Sequence, residues 1–409
     1  MALDLKRKFC NVPFRNFEVI HTGEVSSCCW VAPKHGSYPD RYVLGSLAHQ
    51  SVDEIWNGKP AKELRRSILD GSFEFCSQDI CPLFRDDGAG LIDKDQVSEV
   101  RQDMFDGIND EERKCIEQGS TTCDNLPSKL YLNLGYSCNY NCPTCAPSQD
   151  EHSAFNKVVD YLETRNSFFL EKLSSVFLKV RYIFLGSFGE PLYSKSLVRW
   201  LRGFRPENFS EDFFMELQTN GSLLNETFWS GLPIELKKHL SMIQVSTDAA
   251  TKDTYEKVRL GGKWEVIKRN LEFISKLNTV KSLTLNFVVQ ESNFREMEAF
   301  VDLGAHLGCR VRFTRVQRWP ATSAEVFAKM NVFDPDHVSH SEFVKIVGSE
   351  KLKDRRVDMR ELIDILNGTD ARQSTRNLNS EMPATVLSPG IERKILSLKG
   401  QERITKWPL

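Results

Sequence analysis

The sequence predicts an α/β protein whose larger part is a succession of parallel β/α units. Three observations predict it. From Lys129 onward, short strand-like stretches alternate with helical patterns, the alternation that builds a parallel sheet. The first of these strands runs into Gly135-Tyr136-Ser137-Cys138-Asn139-Tyr140-Asn141-Cys142-Pro143-Thr144-Cys145, three thiols separated by three and two residues. Ten of the 11 cysteines precede residue 146, so a thiol-rich part stands in front of the repeating units.

A chain of 409 residues has room for two or three domains and an ample core. Its net charge of -2 gives no electrostatic case for nucleic acid as a partner, and the short run Lys6-Arg7-Lys8 reads as a solvated terminus. The N-terminal charge is not followed by an apolar segment of signal-peptide type, and no run approaches membrane-spanning length. The expectation is a cytoplasmic protein without a membrane partner. Abundant cysteine in that setting points to reduced thiols binding metal more than to disulfides.

Residues 1–90 form the first predicted unit. Cys10 opens it, Phe17-Glu18-Val19-Ile20-His21 reads as a strand, and Thr22-Gly23-Glu24 turns the chain back toward Cys28 and Cys29, a hairpin that would bring Cys10 near Cys28. Ser51 with Glu54 three residues later is a capping box, and a helix follows from Pro60 to Leu69 with proline at its start. Cys76 and Cys81 come next. Four such thiols suit an iron–sulfur cluster and a tetrahedral zinc site alike. Residues 91–128 read as a charged connector in which Cys115 and Cys123 are spare reduced thiols.

The third unit, residues 129–320, holds candidate strands Leu130 to Leu134, Tyr182 to Leu185, Phe214 to Gln218, Ile243 to Ser246, Leu283 to Val289 and Val311 to Val316. Active residues in such units gather at the C-terminal strand ends. Those ends carry Gly189-Glu190-Pro191, Asn220, Ser246 and, further on, Arg259. Glycine permits close backbone approach and a carboxylate suits a cation, while Thr219, Asn220 and Asp248 could equally supply turn chemistry and helix caps. Cys309 reads as core. Residues 321–409 carry helical patterns at Ala324 to Met330, Ser341 to Val347 and Met359 to Leu366, then a polar stretch from Gly368 to Ser380, together a helical or partly mobile extension.

A [4Fe-4S] cube normally takes one thiolate per iron. Three thiols leave one iron open, as a catalytic metal site keeps one position free, whereas zinc would want a fourth ligand. The loop Cys138, Cys142, Cys145 resembles the signature of the radical S-adenosylmethionine (SAM) superfamily, in which the open iron chelates SAM. The six strands then resemble that family's partial (β/α)6 barrel of TIM type. Gly189, Glu190 and Pro191 resemble its GGEP segment, without the doubled glycine, where backbone and acid contact the SAM ammonium group. Asn220 and Ser246 fall in segments similar to those near bound SAM, with Ser246 the better candidate for its ribose. Arg259 matches an arginine that pairs with the SAM carboxylate. Val316 is placed either against adenine or in the core.

Cys10, Gly23 and Cys28, with Leu44-Gly45-Ser46-Leu47 leading to Ile55-Trp56, resemble the opening of a SPASM domain, although SPASM domains usually follow the barrel. The resemblance implies one auxiliary [4Fe-4S] cluster on Cys10, Cys28, Cys76 and Cys81, with Cys29 able to replace Cys28 and zinc as the alternative occupant. It implies an oxidoreductase or maturase that cleaves SAM with an electron from a reductant such as flavodoxin or ferredoxin, and abstracts hydrogen from a substrate carbon. Oxidative modification of a peptide or protein is the first expectation. Oxidation or epimerisation of a sugar or small metabolite is the second, and the absence of a leader-peptide module in this sequence leans toward it. A non-catalytic iron–sulfur or zinc interaction protein is the third, and the intact Gly-Glu-Pro and Arg259 argue against it. No general acid, base or hydrogen donor is assigned from the sequence.

Overall fold

Alternation of apolar and polar residues along each strand decides the architecture, because it gives the sheet one face for helices and another for a lumen. The computed structural model describes residues 4–28, 31, 42–76, 81–84, 90–96, 108, 110–135, 137–145, 159–186, 189–318, 322–359 and 362. Its strands are β1 (Lys8–Phe9), β2 (Asn16–Ile20), β3 (Glu24–Ser26), β4 (Gly45–Ser46), β5 (Ile92–Asp93), β6 (Lys129–Asn133), β7 (Tyr182–Leu185), β8 (Phe214–Thr219), β9 (Leu240–Ser246), β10 (Ser282–Val289), β11 (Arg310–Arg315) and β12 (Val357–Asp358). β1 pairs with β5, and the others form one 10-stranded sheet in the order β12-β11-β10-β9-β8-β7-β6-β2-β3-β4. Every pairing from β12 to β2 is parallel.

β6 to β11 are the six strands the sequence predicts, and they form the partial barrel. Leu130, Leu132, Ile183, Leu185, Met215, Leu217, Ile243, Val245, Leu285, Phe287, Val311 and Phe313 point outward into the buried core. Between the strands lie helices such as Val159–Lys172, Lys195–Arg202, Trp264–Ile274 and Met297–His306, the crossovers that parallel pairing requires. The inward positions mix aromatic rings with polar groups that are linked across strands. Tyr182 Oη donates to Glu216 Oε2 (2.5 Å), the Gln244 amide donates to Glu216, and Asn286 Nδ2 and Arg312 Nη1 both donate to Gln244 Oε1 (2.9 and 3.2 Å). Arg312 Nε reaches Asp358 on β12 at 3.2 Å.

The hairpin β2-β3 forms as expected, with Val19 opposite Val25. Its other edge is the less legible feature. β2 lies parallel to β6 with Glu18 beside Tyr131, so the N-terminal unit extends the barrel sheet and covers the open edge of its first strand. Asn133 Nδ2 donates to Glu18 Oε1 (2.8 Å) across this seam. The turn is pinned from behind. Gly23 has φ +80°, and a Cβ there would run into the ring of Phe169, while Arg165 donates to the Thr22 carbonyl (2.5 Å).

Ser51 caps Val52–Trp56 in a complete capping box with Glu54, and the next helix runs Lys59–Leu69 with Pro60 in its first turn. The connector contains a helix, Asp110–Glu117. Its Glu112, charged in the sequence, is buried because it pairs with Arg15 and accepts from Ser128. The predicted helices near 324 and 341 occur as Ala324–Met330 and His340–Val347. Met359 to Leu366, apart from Met359 and Leu362, and Gly368 to Ser380 lie outside the described residues. Among the described residues no helix is long and apolar enough to cross a membrane.

Candidate active site

The thiol loop leaves β6 at the C-terminal end of the sheet and is held from two sides. The Gly189 N–H donates to the Gly135 carbonyl (3.1 Å) and the Glu190 N–H to the Ser137 carbonyl (2.9 Å), so the turn after β7 is stitched to the loop's start. Opposite, the Asn141 N–H donates to the Leu260 carbonyl (2.8 Å), and the Tyr140 and Tyr255 hydroxyls meet at 3.1 Å. Gly261, at φ +92°, passes the Asn139 carbonyl so closely that a Cβ would lie 3.2 Å from it, a contact and a conformation that glycine allows.

Cys138, Cys142 and Cys145 are all partly buried on this loop. Burial, reinforced by Glu190, Cys142 and Cys145, pushes the Cys138 thiol up to about 12. Burial also raises Cys142, against the pull of Arg259. Thiols gathered in low dielectric hold their protons until a cation arrives to compensate the thiolates. Two N–H donors already face the sulfurs: Asn220 Nδ2 lies 3.8 Å from Cys138 Sγ and Arg259 Nη1 lies 3.7 Å from Cys142 Sγ. Hydrogen bonds of this kind orient and tune cluster thiolates. Among the described residues no three His, Cys, Asp or Glu side chains are placed to hold a single metal ion. Three thiolates suit a cubane, one on each of three irons with the fourth iron open, whereas mononuclear zinc would want a fourth ligand.

Glu190 is 3% exposed. Its Oε1 accepts from the Thr219 hydroxyl (2.6 Å) and the Leu192 N–H (3.1 Å), and its Oε2 from the Asn220 N–H (2.6 Å). The side chain therefore clamps the end of β7 to the end of β8. Asn220 in turn donates to Asn139 Oδ1 (2.9 Å), which ties β8 to the thiol loop. Pro191 starts the turn Pro191–Tyr193; Ser187 and Phe188 lie outside the described residues. Ser246 ends β9 beside Asn286 on β10. Asn286 was not singled out by sequence, yet its Oδ1 is buried at the lumen without a hydrogen-bond partner among the described residues.

Arg259 Nη2 lies 2.7 Å from Asp248 Oδ2. Asp248 is fully buried and sits at φ +59°, a conformation that aspartate adopts more readily than most residues. Its Oδ1 accepts from the Val288 N–H (2.8 Å) and its carbonyl from Asn293 Nδ2 (3.0 Å), so β9, β10 and the following loop all position one acid. Val316 and Cys309 are both buried, and Cys309 belongs to the hydrophobic core. A cavity of about 900 Å³ opens at the N-terminal strand ends, lined by Lys129, Phe214, His239 and Lys281 among others. It lies away from the thiol loop and at the end where barrels seldom carry chemistry.

The N-terminal thiols gather separately. Burial, with Cys81 adding, pushes Cys10 up to about 12, and burial, with Cys10 and Cys81 adding, raises Cys76. Cys28 is partly buried against the core, and Cys29 lies outside the described residues.

A parallel α/β barrel with a three-thiol loop at its C-terminal rim, preceded by a thiol-rich N-terminal unit, carries the donor set of an iron–sulfur protein with one incompletely ligated cluster. Residues 132–304 match the radical SAM superfamily and residues 10–82 match SPASM, an iron–sulfur cluster-binding domain. The chain therefore carries a radical SAM domain, the mark of a superfamily of enzymes, behind an N-terminal SPASM domain. The first domain implies a [4Fe-4S] cluster and SAM, and the second implies auxiliary iron–sulfur clusters. A GTP 3',8-cyclase of Hydrogenovibrio crunogenus is 30% identical over 45% of this chain and 53% of that protein. A probable GTP 3',8-cyclase of Saccharolobus solfataricus is 25% identical over 44% of this chain and 53% of its own length. The chain thus spans about half the length of these curated relatives. Among solved structures, TYW1 with a lysine-pyruvate adduct bound covers 53% of this chain and 70% of that chain at 14% identity, with a TM-score of 0.32, too loose a likeness to inform the site.

Proposed function

We propose that this chain cleaves SAM reductively at a cluster held by Cys138, Cys142 and Cys145 and abstracts hydrogen from a substrate carbon, with oxidative modification of a peptide or protein as the outcome. The observation that carries the reading is the pair of N–H donors, Asn220 and Arg259, aimed at two of the three sulfurs. When bound and reduced by one electron, the cluster supplies the hydrogen-abstracting 5′-deoxyadenosyl radical from SAM. The protein's own residues do the rest. The backbone at Gly189 and Pro191 faces the SAM ammonium group while Glu190 clamps the rim, Ser246 receives the ribose, and Arg259 takes the carboxylate. Cys10, Cys28 or Cys29, Cys76 and Cys81 would hold one auxiliary cluster, which would supply an acceptor for the electron left on substrate or a ligand to it. The reductant is a flavodoxin or ferredoxin and the compartment the cytoplasm. We place the units at residues 1–90, 91–128, 129–320 and 321–409.

The peptide reading draws on the SPASM domain, common among peptide-modifying relatives. A second reading, oxidation or epimerisation of a sugar or small metabolite, draws on the two cyclases, whose names state a nucleotide substrate. Anaerobically reconstituted protein given SAM and dithionite should release 5′-deoxyadenosine. None at full iron loading would reject the catalytic reading. Deuterium passing into 5′-deoxyadenosine from labelled peptides or from labelled GTP separates the two substrate classes.

A further inference from the structure

Cys115 and Cys123, spare thiols in the sequence, meet in the fold. Helix Asp110–Glu117 carries Cys115 near its end, and the loop after it doubles back, with the Ser120 hydroxyl donating to the Thr122 carbonyl (2.6 Å). The two Sγ atoms come to 3.1 Å, closer than two non-bonded sulfurs ordinarily rest and farther than a bond. Both are buried, Cys115 at 5% and Cys123 at 2% exposure. The Cys123 backbone is fixed by Asn57, whose Oδ1 accepts from its N–H and whose Nδ2 donates to its carbonyl, each at 2.9 Å.

Beside the pair lies Arg65, fully buried. Its Nε donates to the Pro13 carbonyl (3.0 Å) and its Nη1 to the Thr121 carbonyl (3.1 Å), and its plane sits 4.2 Å over the Trp56 ring. Its Nη2 is buried without a hydrogen-bond partner among the described residues. Burial lowers the Arg65 guanidinium, and the two neighbouring thiols oppose that shift. A buried guanidinium calls for an anion, and a thiolate of this pair is one the fold can supply. Consistently, the hydrogen bond from Cys123, aided by Arg65, lowers the Cys115 thiol from its ordinary range, while the same contact and burial raise Cys123.

We propose that Cys115 and Cys123 are a reversible disulfide site, with Cys115 the attacking thiolate, Arg65 its counter-ion and Cys123 the resolving thiol. With a small disulfide such as oxidised glutathione, the Cys115 thiolate attacks one sulfur, the disulfide bond breaks and one glutathione thiolate leaves. Cys123 then gives up its proton and attacks Cys115 sulfur, and the second glutathione leaves as a thiolate. Two protein thiols are oxidised and one glutathione disulfide is reduced to two thiols. The bond would fasten the loop that contacts Asn57 and Trp56 to helix Asp110–Glu117, whose Glu112 pairs with Arg15 and accepts from Ser128, so oxidation acts on the joint between the N-terminal unit and the barrel.

The test uses the full chain with clusters intact, held anaerobically in graded mixtures of reduced and oxidised glutathione, then alkylated and digested with trypsin. One peptide, Cys115 to Lys129, contains both thiols. It should appear lighter by two hydrogens and unalkylated in the oxidised mixtures, and regain two alkyl groups after dithiothreitol, with iron content unchanged. Cys309, buried and held in its protonated form, serves as the internal reference and should react at least about tenfold more slowly than Cys115. An Arg65→Lys variant that retains native iron should form the bond more slowly. Both thiols remaining reduced under excess oxidised glutathione, or each carrying its own glutathione, would overturn the proposal.

Discussion

Arg259 and Asp248 form an ion pair at 2.7 Å whose acid is fully buried and whose guanidinium also faces Cys142 at 3.7 Å. Ten residues of chain, including helix Lys252–Val258, separate the two. The pairing therefore fixes how the end of β9 presents the arginine to the thiol loop.

Asp248→Asn keeps an acceptor for the Val288 N–H but leaves Arg259 without its charge partner. Loss of one member of a buried pair costs about 3–5 kcal/mol. The urea midpoint of the anaerobic protein should fall accordingly, and SAM affinity should drop with it. A midpoint equal to that of the unaltered protein would show that solvent, not Asp248, compensates the guanidinium.

Glu190→Gln replaces one carboxylate oxygen with an N–H₂ group. Either the Asn220 N–H or the Thr219 hydroxyl then faces a donor in a buried place, at about 1–3 kcal/mol. Amide exchange at Asn220 should quicken in the variant while the β9–β10 pairing stays protected. Uniform exchange across both regions would argue that Glu190 is no clamp.

The six barrel strands were legible because outward apolar residues alternate with inward polar ones, and five of the six begin within a residue of expectation. β9 starts earlier, at Leu240, where Ser241 and Met242 weaken the strand signal. The thiol loop, Gly189, Glu190 and Asn220 were legible as residue types at strand ends, and Arg259 as a charge at the end of the helix after β9. Their partners were not. The β2–β6 seam joins residues more than a hundred positions apart, and nothing local in Asn16–Ile20 specifies which edge it covers. The Cys115–Cys123 approach depends on a doubled-back loop, and Asp248 reads as an ordinary turn residue until the fold closes Arg259 onto it.

Gly23→Ala tests the seam. The residue holds φ +80° and its Cβ would meet Phe169, so both backbone and ring must shift, at about 1–3 kcal/mol. Auxiliary iron should become more easily extracted by chelator, while iron on the barrel loop should persist longer. Equal extraction rates from both sites would count against a hairpin pinned by Phe169.

Tyr182 gives a pH dependence. Burial, then Glu216, raises its phenol above the ordinary value near 10. The fold favours the protonated form, so the contribution to stability is complete below about pH 10 and declines as pH rises beyond the unfolded-state value. Tyrosinate absorbance should rise in two phases, the later one coinciding with loss of helical circular dichroism, and Tyr182→Phe should remove part of that later phase. A single phase finishing before unfolding would contradict the buried Tyr182–Glu216 contact.

Changing Cys138, Cys142 and Cys145 together to Ala separates the two iron sites. The thiol loop is held by backbone bonds from Gly189, Glu190 and Leu260, none of which needs a sulfur, so the variant should fold. It should lose the ability to form 5′-deoxyadenosine and retain the iron bound through Cys10, Cys76 and Cys81, because those thiols act on one another and not on the loop. Iron measured per chain after anaerobic reconstitution decides it: a remainder of about half supports two clusters of like size, whereas iron falling to nothing removes the auxiliary cluster.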